Sequence, residues 1–290
     1  MTEELDNTRR LSPLSVRRPV AKPDPWNDSH KDHAVSLGLS SAEEGSQGRM
    51  VLPGRAGGRL TPEERGILAT LIVQQRSYEG NASLVSRGQP SIRAFILHKG
   101  WACAHRSLPS GARQILSVYV PGDLIGYPAA QAFPSEAVLH GHNVSTITDT
   151  EVSEIGIDRL SCALALAPGL ARAMLWDHAR ANAMLEERLI NLGRRSARER
   201  TAHFFLELSV RLGNGAAGHS DFYECPLSQY IVADALGLSA EHLNRVLKQL
   251  RLARLLQVRS GSVEILDRDG LVRLADFDSG YLSQQTAAVA

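Results

Sequence analysis

The sequence predicts an α+β chain: a β jelly roll, then one long helix, then a winged helix-turn-helix. Three observations carry that prediction. Turn residues punctuate Ser77 to Glu154 about every ten positions, Pro168 to Gly193 runs without a strong helix breaker, and Ser228 to Leu266 reads as two capped helices followed by a hairpin. A length of 290 residues with 43% apolar content is enough for two small cores, which excludes a wholly disordered chain.

The elements follow in order. Met1 to Arg59 is rich in Ser, Pro, Gly, Asp and Arg, with apolar residues at neither helical nor strand period, so residues 1–59 are expected to be a disordered tail. Order begins at Leu60. Thr61 can cap, Pro62 suits the first helical position and Glu64 sits three residues after the cap, giving a short helix to about Gln75. Short apolar runs then alternate with Gly80, Gly88, Lys99-Gly100, Pro109-Ser110-Gly111, Pro121-Gly122-Asp123 and Gly141. Alternation along Gln114 to Val120 makes these runs strands, so residues 60–167 form the jelly-roll domain.

Residues 168–193 form the long helix. Leu175, His178, Asn182, Leu185, Leu189 and Leu192 recur at spacings of three and four, a heptad seam with two polar members. Either the helix packs on its own domain, or the seam joins two parallel copies with Asn182 helping to set register. Ser196-Ala197-Arg198-Glu199 is a capping box that opens the second domain, residues 194–276, and residues 277–290 are left as a C-terminal tail.

Ser228 can cap a helix bearing Ile231, Val232 and Ala235; Gly237 supplies a turn; Ser239 can cap a second helix bearing Leu243, Val246, Leu247 and Leu250. Ala233 is small where two such helices approach, and Leu243 and Val246 point to a shared core. Leu255 to Arg259 and Ser262 to Leu266, around Ser260-Gly261, form a hairpin wing. From Arg194 to Ser260 ten Arg/Lys stand against six Asp/Glu, a basic footprint on a chain whose 32 basic and 31 acidic residues otherwise cancel.

On the second helix Glu241, Asn244 and Arg245 point outward near the N-terminus. Arg can bridge guanine O6 and N7 and Glu can accept from cytosine N4, so these three are the candidate base contacts. Ser228, Ser239, Lys248 and Arg251 are the candidate contacts to the DNA backbone. The competing reading of Glu241 and Arg245 is an i,i+4 salt bridge within the helix.

These motifs, with Gly100-Trp101-Ala102, Gly111-Ala112-Arg113-Gln114-Ile115, Pro121-Gly122-Asp123-Leu124-Ile125-Gly126, Ser196-Ala197-Arg198-Glu199-Arg200 and Leu238 to Arg245, resemble the Crp/Fnr family of bacterial transcription regulators from about Leu60 to Ala275. The resemblance implies a jelly roll like a cyclic-nucleotide-binding domain, a dimer helix, and a winged helix-turn-helix that binds inverted-repeat promoter DNA as a homodimer, with RNA polymerase as a further partner. It is nearer the FNR/FixK branch, whose Glu-x-x-Ser-Arg appears here as Glu241 and Arg245 with Asn244 in place of the Ser. A TTGA-like half-site is thereby implied. So is an effector pocket at Gly122, Asp123, Gly126, His140 and His142.

No cofactor is expected. The cyclic-nucleotide branch needs an Arg-Ser pair for phosphate and a Glu for ribose; His140-Gly141-His142-Asn143 and Tyr127 stand there instead, which disfavours cyclic AMP. Residues 1–102 hold no cysteine, which argues against the iron-sulfur cluster of the FNR branch. His140 and His142 could ligate a metal or haem as alternate strand residues, although solvated turn histidines are the plainer reading, and no metal site is assigned. The alternative function is therefore a jelly-roll, metal-dependent oxygenase with a DNA-binding appendage; otherwise the chain is not an enzyme. Cys103, Cys162 and Cys225 form no Cys-x-x-Cys pair, which points to a reducing, cytoplasmic setting, with Cys103 packed in a strand and Cys225 a possible redox thiol. Met174 and Met184 are read as packing residues. The start MTEELDNTRR lacks a signal-peptide core and no window approaches eighteen apolar residues, so neither secretion nor a membrane partner is expected.

Overall fold

The computed structural model describes residues 60–127, 138–213, 219–259 and 261–282. The expected N-terminal tail, 1–59, lies outside the described residues. Helix α1 (Pro62–Leu71) starts on the expected capping box: Glu64 N donates to Thr61 Oγ1 at 3.2 Å and Thr61 N donates to Glu64 Oε2 at 3.0 Å. It ends at Leu71, short of Gln75, because β-branched Ile72 and Val73 open a strand paired to a neighbour.

Eight strands follow: β1 (Ile72–Tyr78), β2 (Ser83–Val85), β3 (Arg93–Lys99), β4 (Ala102–Ser107), β5 (Arg113–Tyr119), β6 (Leu124–Ile125), β7 (Asn143–Thr146) and β8 (Thr150–Gly156). They make two four-stranded antiparallel sheets, β1-β8-β3-β6 and β2-β7-β4-β5, the jelly roll that the turn spacing predicts. Period-2 alternation sends Phe95, Leu97 and Val152 of one sheet against Ala102, Ala104 and Val144 of the other. On the outer face of the first sheet, Ala94, Ile96 and Ile155 are covered by α1, by α2 (Ile157–Leu166) and by the first turn of α3 (Pro168–Gly193). Glu64 joins two of these helices, since its second oxygen accepts from Gly169 N at 2.6 Å.

Helix α3 has the predicted limits and, at 26 residues, is about 39 Å long. Helix α4 (Ala197–Leu212) starts on its own capping box, with Ser196 and Glu199 bonded in both directions. The chain continues through β9 (Phe222–Glu224), α5 (Gln229–Leu236), α6 (Ala240–Leu252), β10 (Leu256–Arg259), β11 (Ser262–Ile265), α7 (Arg268–Ala275) and a 3₁₀ turn, Ser279–Leu282. Strand β9 adds a third member to the wing, in the order β10-β11-β9.

Two further features differ from the expectation. The C-terminal segment is not a tail from residue 277 onward: Phe277 packs against the core, Leu282 is fully buried, and Tyr281 Oη donates to Glu207 at 3.1 Å, because three large side chains at close spacing anchor it. The jelly roll and the DNA-binding part also share one core. Trp101, Cys103, Ile115 and Val118 on the outer face of the second sheet pack with Phe205, Ile231, Leu243 and Leu271.

Candidate DNA-binding interface

Local chemistry positions the two helices of the motif. Ser228 Oγ accepts from Ile231 N at 3.3 Å and Ser239 Oγ from His242 N at 3.2 Å, so each serine caps one helix start. Gly237 closes α5 in the left-handed region at φ 61°, where a side chain would be strained and its Cβ would stand 3.2 Å from Leu192 Cδ2. Ala233 is buried where the helices meet, and Leu243, Val246 and Leu250 bury one side of α6.

Burying that side fixes the rotation of α6. Glu241, Asn244, Arg245 and Lys248, at i, i+3, i+4 and i+7, are all exposed along one outward stripe, with Arg251 further along. Arg254 in the following turn and Arg259 on the wing are exposed as well and extend the cationic strip; both contribute to the basic footprint of the sequence, but no motif spacing singles them out. Glu241 is held below the usual carboxylate range by its own backbone N–H and by the Ser239 hydroxyl, with a smaller contribution from Arg245. It is thus a pure acceptor at neutral pH. The competing Glu241–Arg245 salt bridge is not among the ion pairs of the described residues, and both residues are exposed.

The basic footprint is narrower than the count implies. Arg211 is buried and pairs with Asp123 at 2.6 Å, Arg195 pairs with Glu187 at 2.8 Å, and acidic Asp234 pairs with Arg113 of β5 at 2.7 Å. These contacts knit the domains together. Gln114 Nε2 donates to Ala235 O at 3.4 Å, Arg211 Nη2 to Val118 O at 2.8 Å, and Arg188 of α3 to Leu116 O.

On α3, Leu175, Leu185, Leu189 and Leu192 are 40–71% exposed, and Asn182 is exposed, its amide donating to Glu186 at 2.7 Å. Met184 is buried, as expected of a packing residue. His178 departs from the seam: its ring packs on Tyr127 of the jelly roll, centroids 5.6 Å apart.

Of the implied effector residues, Gly126 and His140 both lie against residues 89–91: Ser91 Oγ donates to Gly126 O at 2.8 Å and His140 N donates to Gln89 O at 3.0 Å. Gly122 and Gly126 take positive φ, and at Gly126 a Cβ would meet Arg93 O at 3.1 Å and Val85 Cγ2 at 3.3 Å, so the backbone passes too close for a side chain. Asp123 is already paired within the fold. Its carboxylate is consumed by Arg211, by Arg180 at 3.1 Å and by Val120 N at 2.9 Å. His140 and His142 sit in the irregular segment before β7, not on alternate strand positions; burial, and for His140 also its neighbour His142, lowers their basicity. Cys225 is buried, which pushes its thiol up to about 11 and makes it a poor redox sensor; Cys103 is buried in β4 as expected.

Comparison with known proteins agrees with this layout. The Crp-like helix-turn-helix domain matches residues 199–274 and the cyclic nucleotide-binding domain matches residues 75–164. The nitrogen fixation regulation protein FixK of Azorhizobium caulinodans is 30% identical over 200 residues, covering 67% of this chain and 76% of the relative. FixK of Rhizobium meliloti is 27% identical over 206 residues, covering 69% and 86%. The structure of FixK2 from Bradyrhizobium japonicum superposes with a TM-score of 0.61 at 26% identity, covering 69% of this chain and 96% of that one. With the expected motifs, caps and sheets in place, the chain belongs to the Crp/Fnr family and is a transcription regulator with a DNA-binding helix-turn-helix, on the FNR/FixK side of that family.

Proposed function

We propose that the chain acts as a homodimer on inverted-repeat promoter DNA with TTGA-like half-sites, contacting RNA polymerase there, and that it carries out no catalysis. The observation that carries the dimer is the exposed leucine stripe of α3. Four leucines 40–71% exposed on one long helix leave an apolar strip that a second copy, packed in parallel, would cover. Leu175, Asn182, Leu185, Leu189 and Leu192 form the seam in this reading, and His178 serves instead to join α3 to the jelly roll.

Two copies would present their α6 stripes to successive major grooves, about 10 base pairs apart. Glu241, Asn244 and Arg245 read bases. Lys248 and Arg251 hold phosphates, and the hydroxyls of Ser228 and Ser239, still able to donate, add neutral phosphate contacts at the two helix starts.

The sensor takes no cyclic nucleotide in this reading. Where that ligand needs a ribose-binding carboxylate, Tyr127 turns its ring onto His178. We assign no metal, haem or cluster. Among the described residues no group of three His, Cys, Asp or Glu could hold a metal ion. No helix of the described residues is long and apolar enough to cross a membrane.

Sedimentation tests the dimer. Wild type is expected to run at twice the chain mass, and Leu185→Glu with Leu189→Glu to run as a folded monomer that binds a single half-site without cooperativity. A double variant that still sediments as a dimer overturns the seam.

A further inference from the structure

We infer that Asn244 reads adenine, so that the half-site contains an A·T pair beside the G·C element read by Arg245 and Glu241; this rests on the reading of α6 as the base-reading helix. Asn244 lies inside the 13-residue α6, in its second turn. Asparagine is among the weaker helix formers there, because its side chain competes for backbone groups, and such a residue either bonds a neighbouring backbone group or points out to solvent. No hydrogen bond from the Asn244 side chain to any described residue is formed, and the side chain is exposed. Its amide is left with an acceptor and a donor together, pointing away from the core.

The neighbours show where it points. Leu243 and Val246 are buried, so residue 244 is locked on the outward side, between Glu241 one turn before it and Lys248 one turn after. Arg245 beside it can only donate and Glu241, held ionised, can only accept. Those two suit guanine and cytosine, which complete one pair between them. Asn244 is the one member of the stripe that both donates and accepts. That pattern matches adenine, whose N7 accepts and whose N6 amino group donates at the same major-groove edge. A serine at this place, as in the Glu-x-x-Ser-Arg pattern, is shorter and has one hydroxyl, which bonds any of several base edges. Asparagine therefore narrows the half-site at that pair.

Selection from random duplexes by wild type, Asn244→Ala and Arg245→Ala tests this, followed by binding to the selected site with 7-deazaadenine at the candidate position. Wild type is expected to enrich an inverted repeat in which adenine beside the G·C element is preferred by roughly 5- to 150-fold over the other bases. Asn244→Ala is expected to lose that preference to within about twofold while keeping the guanine preference, which also shows that the variant is folded; 7-deazaadenine is expected to weaken wild type and leave Asn244→Ala unchanged, because the N7 acceptor is gone. If the repeat is enriched and Arg245→Ala relaxes the guanine, but Asn244→Ala or the deaza base changes nothing, the adenine assignment is wrong while base reading by α6 stands. If wild type enriches no inverted repeat, the reading on which the assignment rests fails with it.

Discussion

Replacing Asp123 with Asn tests how the jelly roll holds the DNA-binding part. Asp123 sits in the turn between β5 and β6, and its oxygens accept from Arg211 of α4 at 2.6 Å, Arg180 of α3 at 3.1 Å and Val120 N at 2.9 Å. The Arg211 side chain is 2% exposed, so its charge depends on these partners. Asp123→Asn keeps the size, removes the charge and turns one acceptor into a donor facing a guanidinium. Removing one partner of a buried pair costs about 3–5 kcal/mol. Arg211 retains Val118 O and lies 3.4 Å from Glu207, which places the cost near the lower end, about 3 kcal/mol. For an ordered body of this size that is a fall in Tm of roughly 6–12 °C. Burial alone would raise the Asp123 pKa, but Arg211 and Arg180, with the Val120 amide, hold it below the ordinary carboxylate value. A depressed carboxylate stabilises the fold above its unfolded pKa, about 3.9, and the stabilisation is lost as pH falls through the lower folded value. Thermal unfolding of both proteins from pH 7 to pH 3 is the assay. The gap should be constant from about pH 7 to 5 and narrow below about pH 4. A gap under about 2 °C at pH 7, or one that does not narrow in acid, would show that the Asp123 charge does not hold Arg211 and Arg180 in place.

Two further outcomes follow from another ion pair and from the burial of the cysteines. Arg113→Asp sets like charges against Asp234 and is expected to loosen α5 from β5, lowering stability by about 1–3 kcal/mol, with Asp234→Arg in the same chain restoring most of it in urea titrations. Alkylation of the native protein at pH 8 is expected to mark Cys162, which is exposed, and to spare Cys103 and Cys225, whose thiols burial pushes up to about 11; mass spectrometry showing Cys225 modified first would contradict that burial.

The parts of this chain legible in the sequence are those that local chemistry dictates. Thr61 with Glu64, Ser196 with Glu199, Ser228 and Ser239 all cap where their side chains and the apolar spacing behind them require, and Pro168 and Gly193 bound α3. The rotation of α6 follows equally from Leu243, Val246 and Leu250. What could not be read are contacts between residues distant in sequence. Arg113 and Asp234 are 121 positions apart, and nothing near either one marks the pairing. Asp123 belongs to a family motif that points to a ligand pocket, yet Arg211, 88 positions away, turns it to structural use. His178 fits the heptad by spacing, but Tyr127 draws it inward, and periodicity along one helix cannot register a ring on another element. Tyr281 and Leu282 lie in a 3₁₀ turn too short to show a period, and Phe277 stands alone before it, so their burial left no pattern in the sequence.

Whether α6 reads bases is decided by the sequence preference and salt dependence of DNA binding by wild type, Arg245→Ala and Lys248→Ala. Wild type is expected to select an inverted repeat with half-site centres about 10 base pairs apart. Arg245→Ala should lose preference at one base pair per half-site, while Lys248→Ala should weaken all sequences about equally and lower the salt slope by about 1 for each phosphate it no longer neutralises. Selection of no inverted repeat, or an Arg245→Ala protein that keeps the same preference at merely lower affinity, would contradict α6 as the helix that reads bases.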